Sequence, residues 1–119
     1  MRHILSSKQF SRADLEYLMS EARKMDDILA KWGSRMFDER IMAALFYEPS
    51  TRTRLSFESA MMRLGGRVIS ETDVTFSSQS KWEILADTIR IVSSYADIIA
   101  IRSKNTGDAL LASQYSRVP

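Results

Sequence analysis

The 119-residue sequence has no cysteine, one histidine and two prolines. Without thiols there is no disulfide framework and no thiolate metal site. The lone His3, near the N-terminus, leaves no histidine cluster for zinc and no serine–histidine–aspartate triad. It reads as a solvent-exposed or packing residue, and neither a metal nor a cofactor is expected. Charge of one sign is also scarce. Lys and Arg number 17 against 15 Asp and Glu, a formal net charge of +2. The basic residues are interleaved with acids and no aromatic stacking platform accompanies them, which argues against nucleic acid. No apolar run approaches the roughly 20 residues of a membrane span. Met1-Arg2-His3 leads into polar Ser6-Ser7-Lys8-Gln9, so no signal peptide is visible. A cytoplasmic protein without a membrane partner is the expectation. Repeats, low-complexity tracts and linkers are missing too, so 1–119 reads as one domain at most. A hydrophobic share of 45% can supply its core.

What the sequence does have is concentrated between Phe46 and Glu58. An apolar run, Ile41 to Phe46, reads as a buried strand, and Pro49, which lacks the N–H a ladder needs, stops it. Ser50 and Thr51 are N-cap candidates whose hydroxyls can accept from the first turn of a helix. Phe57, Ala60, Met61 and Leu64 recur at helical spacing, and Gly65-Gly66 ends the run. The first turn is unusual. A helix N-terminus carries partial positive charge and favours Asp or Glu, yet here stand Arg52 and Arg54, with hydroxyls at Ser50, Thr51 and Thr53. Free N–H groups, hydroxyls and guanidinium groups together make an anion site suited to phosphate. The competing reading is a solvated basic turn neutralised by a neighbouring carboxylate.

Around this stretch helices and strands alternate. Ser11 to Asp14 forms a capping box variant ahead of a stripe of Leu15, Leu18, Met19, Ala22, Met25 and Leu29, expected to pack on a sheet. After the central strand and helix come a short strand at 67–70 and a polar loop at 71–79. A helix capped by Ser80 and Glu83, with Leu85, Ile89, Val92 and Ala96 on one face, precedes a strand ending at Arg102. A last helix runs from Thr106-Gly107-Asp108 through Leu110, Leu111 and Tyr115. This order predicts an α/β fold, a parallel sheet with flanking helices in three layers. The strand-to-helix loops of such a sheet share one edge, where ligands bind. Loops Tyr47–Ser50, Thr72–Ser80 and Ser103–Asn105 therefore gather Arg52, Arg54, Lys81 and Arg102, a cationic edge suited to a phosphate-bearing substrate. In an acyl transfer with phosphate leaving, those cations stabilise the departing charge, and an amine on the second substrate removes the need for a side-chain nucleophile.

Ser50-Thr51-Arg52-Thr53-Arg54, with Ser56-Phe57-Glu58 and Leu64-Gly65-Gly66, resembles the carbamoyl phosphate signature of the aspartate and ornithine carbamoyltransferases. The likeness runs from about Ile4 to Pro119. It implies that an amine attacks the carbamoyl carbon of carbamoyl phosphate and phosphate departs. Ser50, Thr51, Arg52 and Thr53 would hold the phosphate, Thr53 and Arg102 would also reach the carbonyl oxygen, and Arg52, Thr53 and Arg102 would be the catalytic set. Arg54 would be structural, with Glu48 and Glu58 as candidate partners. The loop Ser77-Ser78-Gln79-Ser80-Lys81 is similar to the aspartate type, in which a Ser and a Lys, here Ser77 and Lys81, enter the neighbouring subunit's site. The resemblance thus implies L-aspartate as second substrate, a role in pyrimidine synthesis and a homotrimer. Departures are Trp82, where the family has Gly, and Ser103-Lys104, where it has His-Pro. The family continues with a second, amino acid-binding domain, and Val118-Pro119 reads as the start of a further strand. These residues are expected to supply a carbamoyl phosphate-binding domain, inactive by itself. The alternatives are a non-catalytic phosphate-binding or oligomerisation module and, less favoured, an ornithine-type enzyme.

Overall fold

The computed structural model describes residues 3–72 and 81–119. After a 3-10 turn at Ser7–Gln9 come α1 (Arg12–Ala30), β1 (Ile41–Phe46), α2 (Thr51–Arg63), β2 (Arg67–Glu71), α3 (Lys81–Val92), β3 (Ile98–Arg102) and α4 (Asp108–Tyr115). The strands form one parallel sheet in the order β2-β1-β3. Its central strand is the one read from the apolar run. Successive side chains of a strand point to opposite faces, and β1 uses both. Ala43 and Leu45 pack with Leu85, Ile89, Val92, Ala96 and Ala112 on the side of α3 and α4. Met42, Ala44 and Phe46 pack with Met61 of α2 on the other side. Two helical layers thus enclose the sheet, as expected. Burial on both faces holds for β1 alone, because β2 and β3 flank it and stay partly exposed.

At the amino edge of the sheet one carboxylate ties β1 to the approach to β3. Asp97 Oδ2 accepts from the Ile41 N–H at 2.8 Å, and Asp97 N–H donates to the Ile41 carbonyl at 2.8 Å. Its Oδ1 pairs with Arg40 at 2.7 Å. The Ile41 backbone bond, then the Arg40 guanidinium, hold this carboxyl below its ordinary value. On the far flank, the Ile99 N–H donates to the Pro119 carbonyl at 2.8 Å, so the segment read as opening a strand runs beside β3.

Helix α1 corrects the sequence reading. Its capping box forms, with the Ser11 hydroxyl accepting from the Asp14 N–H and the Asp14 carboxylate accepting from the Ser11 N–H. No residue of the helix is buried, and Leu15, Leu18, Met19 and Leu29 remain 40–60% exposed. The sheet has no face left for the stripe, since α2 covers one and α3 with α4 the other. Trp32 and Gly33, at φ 68° and 107°, turn the chain after α1 towards the end of α2 instead, where the Ser34 N–H donates to the Arg63 carbonyl at 2.8 Å. Gly65 closes α2 at φ 88°, and a Cβ there would stand 2.7 Å from the Ser34 carbonyl oxygen, so this junction needs glycine.

Candidate functional site

The carboxyl ends of β1 and β3 meet at one edge, with Phe46 opposite Arg102 in the ladder. The Tyr47 N–H donates to the Arg102 carbonyl at 2.9 Å, extending the pairing one residue past the strand. From there the chain passes through Glu48 and Pro49 into the N-terminus of α2, with Ser50 as N-cap. Burial pushes the Tyr47 phenol up to about 12, aided by the charge of Glu71, so a neutral ring lines this edge.

Ser50 occupies the cap position, but its hydroxyl makes no capping hydrogen bond, against expectation. At φ −158° and ψ 66° its backbone departs from the extended conformation usual for a cap, while its carbonyl accepts from the Arg54 N–H at 3.0 Å. The first N–H groups of a helix have no intrahelical partner. Those of Thr51, Arg52 and Thr53 therefore combine with the positive end of the helix dipole at the sheet edge. Thr51 and Arg52 are exposed and Thr53 is half-buried.

The cations gathered at this edge fall into two kinds. Arg54 pairs with Glu58 at 3.5 Å, one turn along α2. The same Glu58 oxygen accepts from the Ser70 hydroxyl of β2 at 2.6 Å, which bolts the helix to the sheet. Of the two carboxylate partners read for Arg54, the structure shows Glu58. Glu48, the other candidate partner, takes Arg102 instead, with its Oε2 3.2 Å from Arg102 Nε. Among the described residues Arg52 has no ion-pair partner, and it is the guanidinium left to meet an anion. Ser77 and the side chain of Lys81 lie outside the described residues, as do the cap of Ser80 with Glu83 and the side chain of Trp82.

The turn after β3 holds a group that the sequence reading passed over. Asp108, the first residue of α4, is buried. Its Oδ2 accepts from the Ser103 hydroxyl and, at 3.0 Å, from Asn105 Nδ2. The sequence signal was the acid directly after Gly107, which sits at φ 95° as the N-cap of α4. Among the described residues no cluster of His, Asp and Glu could hold a metal ion, and no helix is long and apolar enough to cross a membrane.

Known proteins match the chain along its whole length. The family described as aspartate/ornithine carbamoyltransferase, carbamoyl-P binding domain, matches residues 2–119. The aspartate carbamoyltransferase catalytic subunit of Methanocaldococcus jannaschii is 51% identical over 120 residues, covering 100% of this chain and 39% of that protein. The Methanosarcina barkeri catalytic subunit is 48% identical over 119 residues, covering 99% of this chain and 39% of its own length. Among solved structures, the M. jannaschii catalytic subunit superposes with a TM-score of 0.90 at 51% identity, covering 100% of this chain and 39% of that one. Aspartate transcarbamoylase from Trypanosoma cruzi, in complex with carbamoyl phosphate and aspartate, superposes at 0.85 with 40% identity, covering 99% of this chain and 39% of that one. The chain spans about two fifths of the length of the curated relatives it matches.

Proposed function

The chain belongs to the aspartate/ornithine carbamoyltransferase family, as its carbamoyl phosphate-binding domain, and from that membership we propose that the carboxyl edge of the sheet binds carbamoyl phosphate for transfer to L-aspartate. One observation carries the reading: the first turn of α2 presents uncapped backbone amides beside Arg52, which is exposed and unpaired among the described residues. Backbone donors and a guanidinium fork together suit a phosphate dianion.

In the reaction proposed, the aspartate amine attacks the carbamoyl carbon and a C–N bond forms. The C–O bond to phosphate breaks, its electron pair leaves with the phosphate, and an amine proton ends on that group. The products are N-carbamoyl-L-aspartate and phosphate. Arg52, with Ser50, Thr51 and Thr53, holds the phosphate and steadies the charge it gains. Arg102 and Thr53 polarise the carbonyl oxygen. Glu48 takes the Nε donor of Arg102, and the terminal nitrogens of the guanidinium are the ones that meet the substrate. Ser77 and Lys81 are proposed to act in a neighbouring subunit's site, which makes a homotrimer the working assembly. De novo pyrimidine synthesis in the cytoplasm is the proposed setting. The names of the relatives support aspartate over ornithine as acceptor.

Calorimetric titration of carbamoyl phosphate into the chain tests the site. Saturable binding, displaced by inorganic phosphate, is expected. Production of carbamoyl aspartate by these 119 residues alone is not expected, since they span about two fifths of the length of the catalytic subunits they match. Absence of binding would favour a non-catalytic, purely structural module.

A further inference from the structure

We propose that Asp108 is a positioning residue for Arg102, acting through the turn that joins β3 to α4; the proposal rests on reading the carboxyl edge as a carbamoyl phosphate site. Burying a carboxylate is costly unless it is hydrogen-bonded, and at 8% exposure Asp108 is the buried acid among the described residues. Its place in the first turn of α4 suits the helix dipole, but that accounts for an acid at this position and not for its burial or its partners. Those partners are both on the turn. The Ser103 hydroxyl and Asn105 Nδ2 donate to the same carboxylate oxygen. The Asn105 N–H returns to the Ser103 hydroxyl at 3.3 Å, and the Asp108 N–H to the Asn105 carbonyl at 3.4 Å. Residues 103–107 are Ser, Lys, Asn, Thr and Gly. No proline stiffens them, and hydrogen bonds converging on one carboxylate do so instead.

Arg102 is the residue immediately before this turn. Upstream its backbone is held by the β1 ladder and by the Tyr47 N–H. Downstream it is held by Ser103, whose side chain is tied to Asp108. The Arg102 side chain is 41% exposed, and its ion-pair partner among the described residues is Glu48. A long side chain so lightly packed reaches a reproducible place only if its backbone is fixed on both sides. Asp108 supplies the second fixing.

The test uses Asp108→Ala, Asp108→Asn and the milder Ser103→Ala, with two readouts. The first is the NMR signal of the Arg102 Nε–H. It should move towards the position of a freely rotating arginine in Asp108→Ala and Ser103→Ala, and stay near its original place in Asp108→Asn, which keeps an acceptor for the Ser103 hydroxyl. The second is carbamoyl phosphate affinity, expected to fall about tenfold in Asp108→Ala and not to fall further when Arg102→Ala is already present. An unmoved Nε signal in Ser103→Ala, or losses that simply add in the double variant, would overturn the proposal. Should the unaltered chain bind no carbamoyl phosphate, the site reading fails, and the Nε signal still decides whether Asp108 positions Arg102. Should Asp108→Ala not fold, Ser103→Ala decides it.

Discussion

Glu48 and Arg102 stand 54 residues apart in the chain, and their side chains meet at 3.2 Å across the carboxyl ends of β1 and β3. The carboxylate takes the Nε donor of the arginine proposed to polarise the substrate. Glu48 thus sets a negative charge beside the guanidinium proposed to meet an anionic substrate. The pair is 41% and 36% exposed, so solvent screens it, and such pairs are worth no more than about 1 kcal/mol.

Glu48→Gln should accordingly tighten carbamoyl phosphate binding by about threefold. Calorimetry at fixed ionic strength measures it. A loss as deep as that from removing a phosphate ligand would mean that Glu48 holds Arg102 in its binding pose instead of opposing the anion.

Arg52 and Arg54, two residues apart, should separate cleanly on substitution. Arg52→Ala is expected to weaken binding by about 30-fold or more with little change in melting temperature, because a charge-assisted contact is lost and no ion pair within the described residues is broken. Arg54→Ala should instead lower stability by about 1 kcal/mol and disturb binding less, since it leaves Glu58, only 15% exposed, with Ser70 as its remaining partner. Thermal melts and titrations on both variants test the split.

Acid stability should depend on Asp97. Its folded value lies below 3.8, owing first to the Ile41 N–H and then to Arg40. A depressed carboxyl contributes stability that is complete above its unfolded value and is lost as the pH falls through the folded one. Asp97→Asn should flatten the fall in melting temperature below about pH 4 and lower the plateau near pH 7. Melting curves across pH 2–7 that keep the original slope in the variant would contradict this assignment.

Core and surface should differ sharply in cost. Ile89 of α3, fully buried against β1, should cost about 2–4 kcal/mol of stability as Ile89→Ala. Met19, 60% exposed on α1, should change stability by no more than about 0.5 kcal/mol as Met19→Lys. Urea titrations of the 119-residue chain compare the two. A large cost at Met19 would mean that the stripe of α1 is covered in solution.

Most of the fold was legible because its signals are local. The capping box at Ser11 starts α1 and Gly65 closes α2, each through the backbone chemistry of a few neighbouring residues, while β1 ends at Phe46, short of Pro49. The face of α3 was legible by period alone, and Leu85, Ile89 and Val92 are buried as read. The face read for α2 was only half right. Met61 is buried, while Phe57 keeps much of its ring in the open even as it packs at 6.4 Å from the ring of Phe46. Residues 50–54 were legible as a cationic helix start, because Arg where Asp or Glu is favoured is itself a signal.

The sequence by itself therefore determined the elements, their alternation and the carboxyl edge at which Ser50 to Arg54 and Arg102 would gather. Only the tertiary structure decided which cations there are paired and which is left without an ion-pair partner among the described residues. Glu48 could have served Arg54 until the parallel register set Phe46 beside Arg102. Asp108 looked like an ordinary first-turn acid until the turn after β3 folded over it. The stripe of α1 announced an amphipathic helix, but the two faces of the sheet had already been taken by α2 and by α3 with α4. The physical reason is common to all three. Capping, turn chemistry and periodicity act over a few residues, whereas a charge pair or a buried face depends on what pairing brings from elsewhere in the chain.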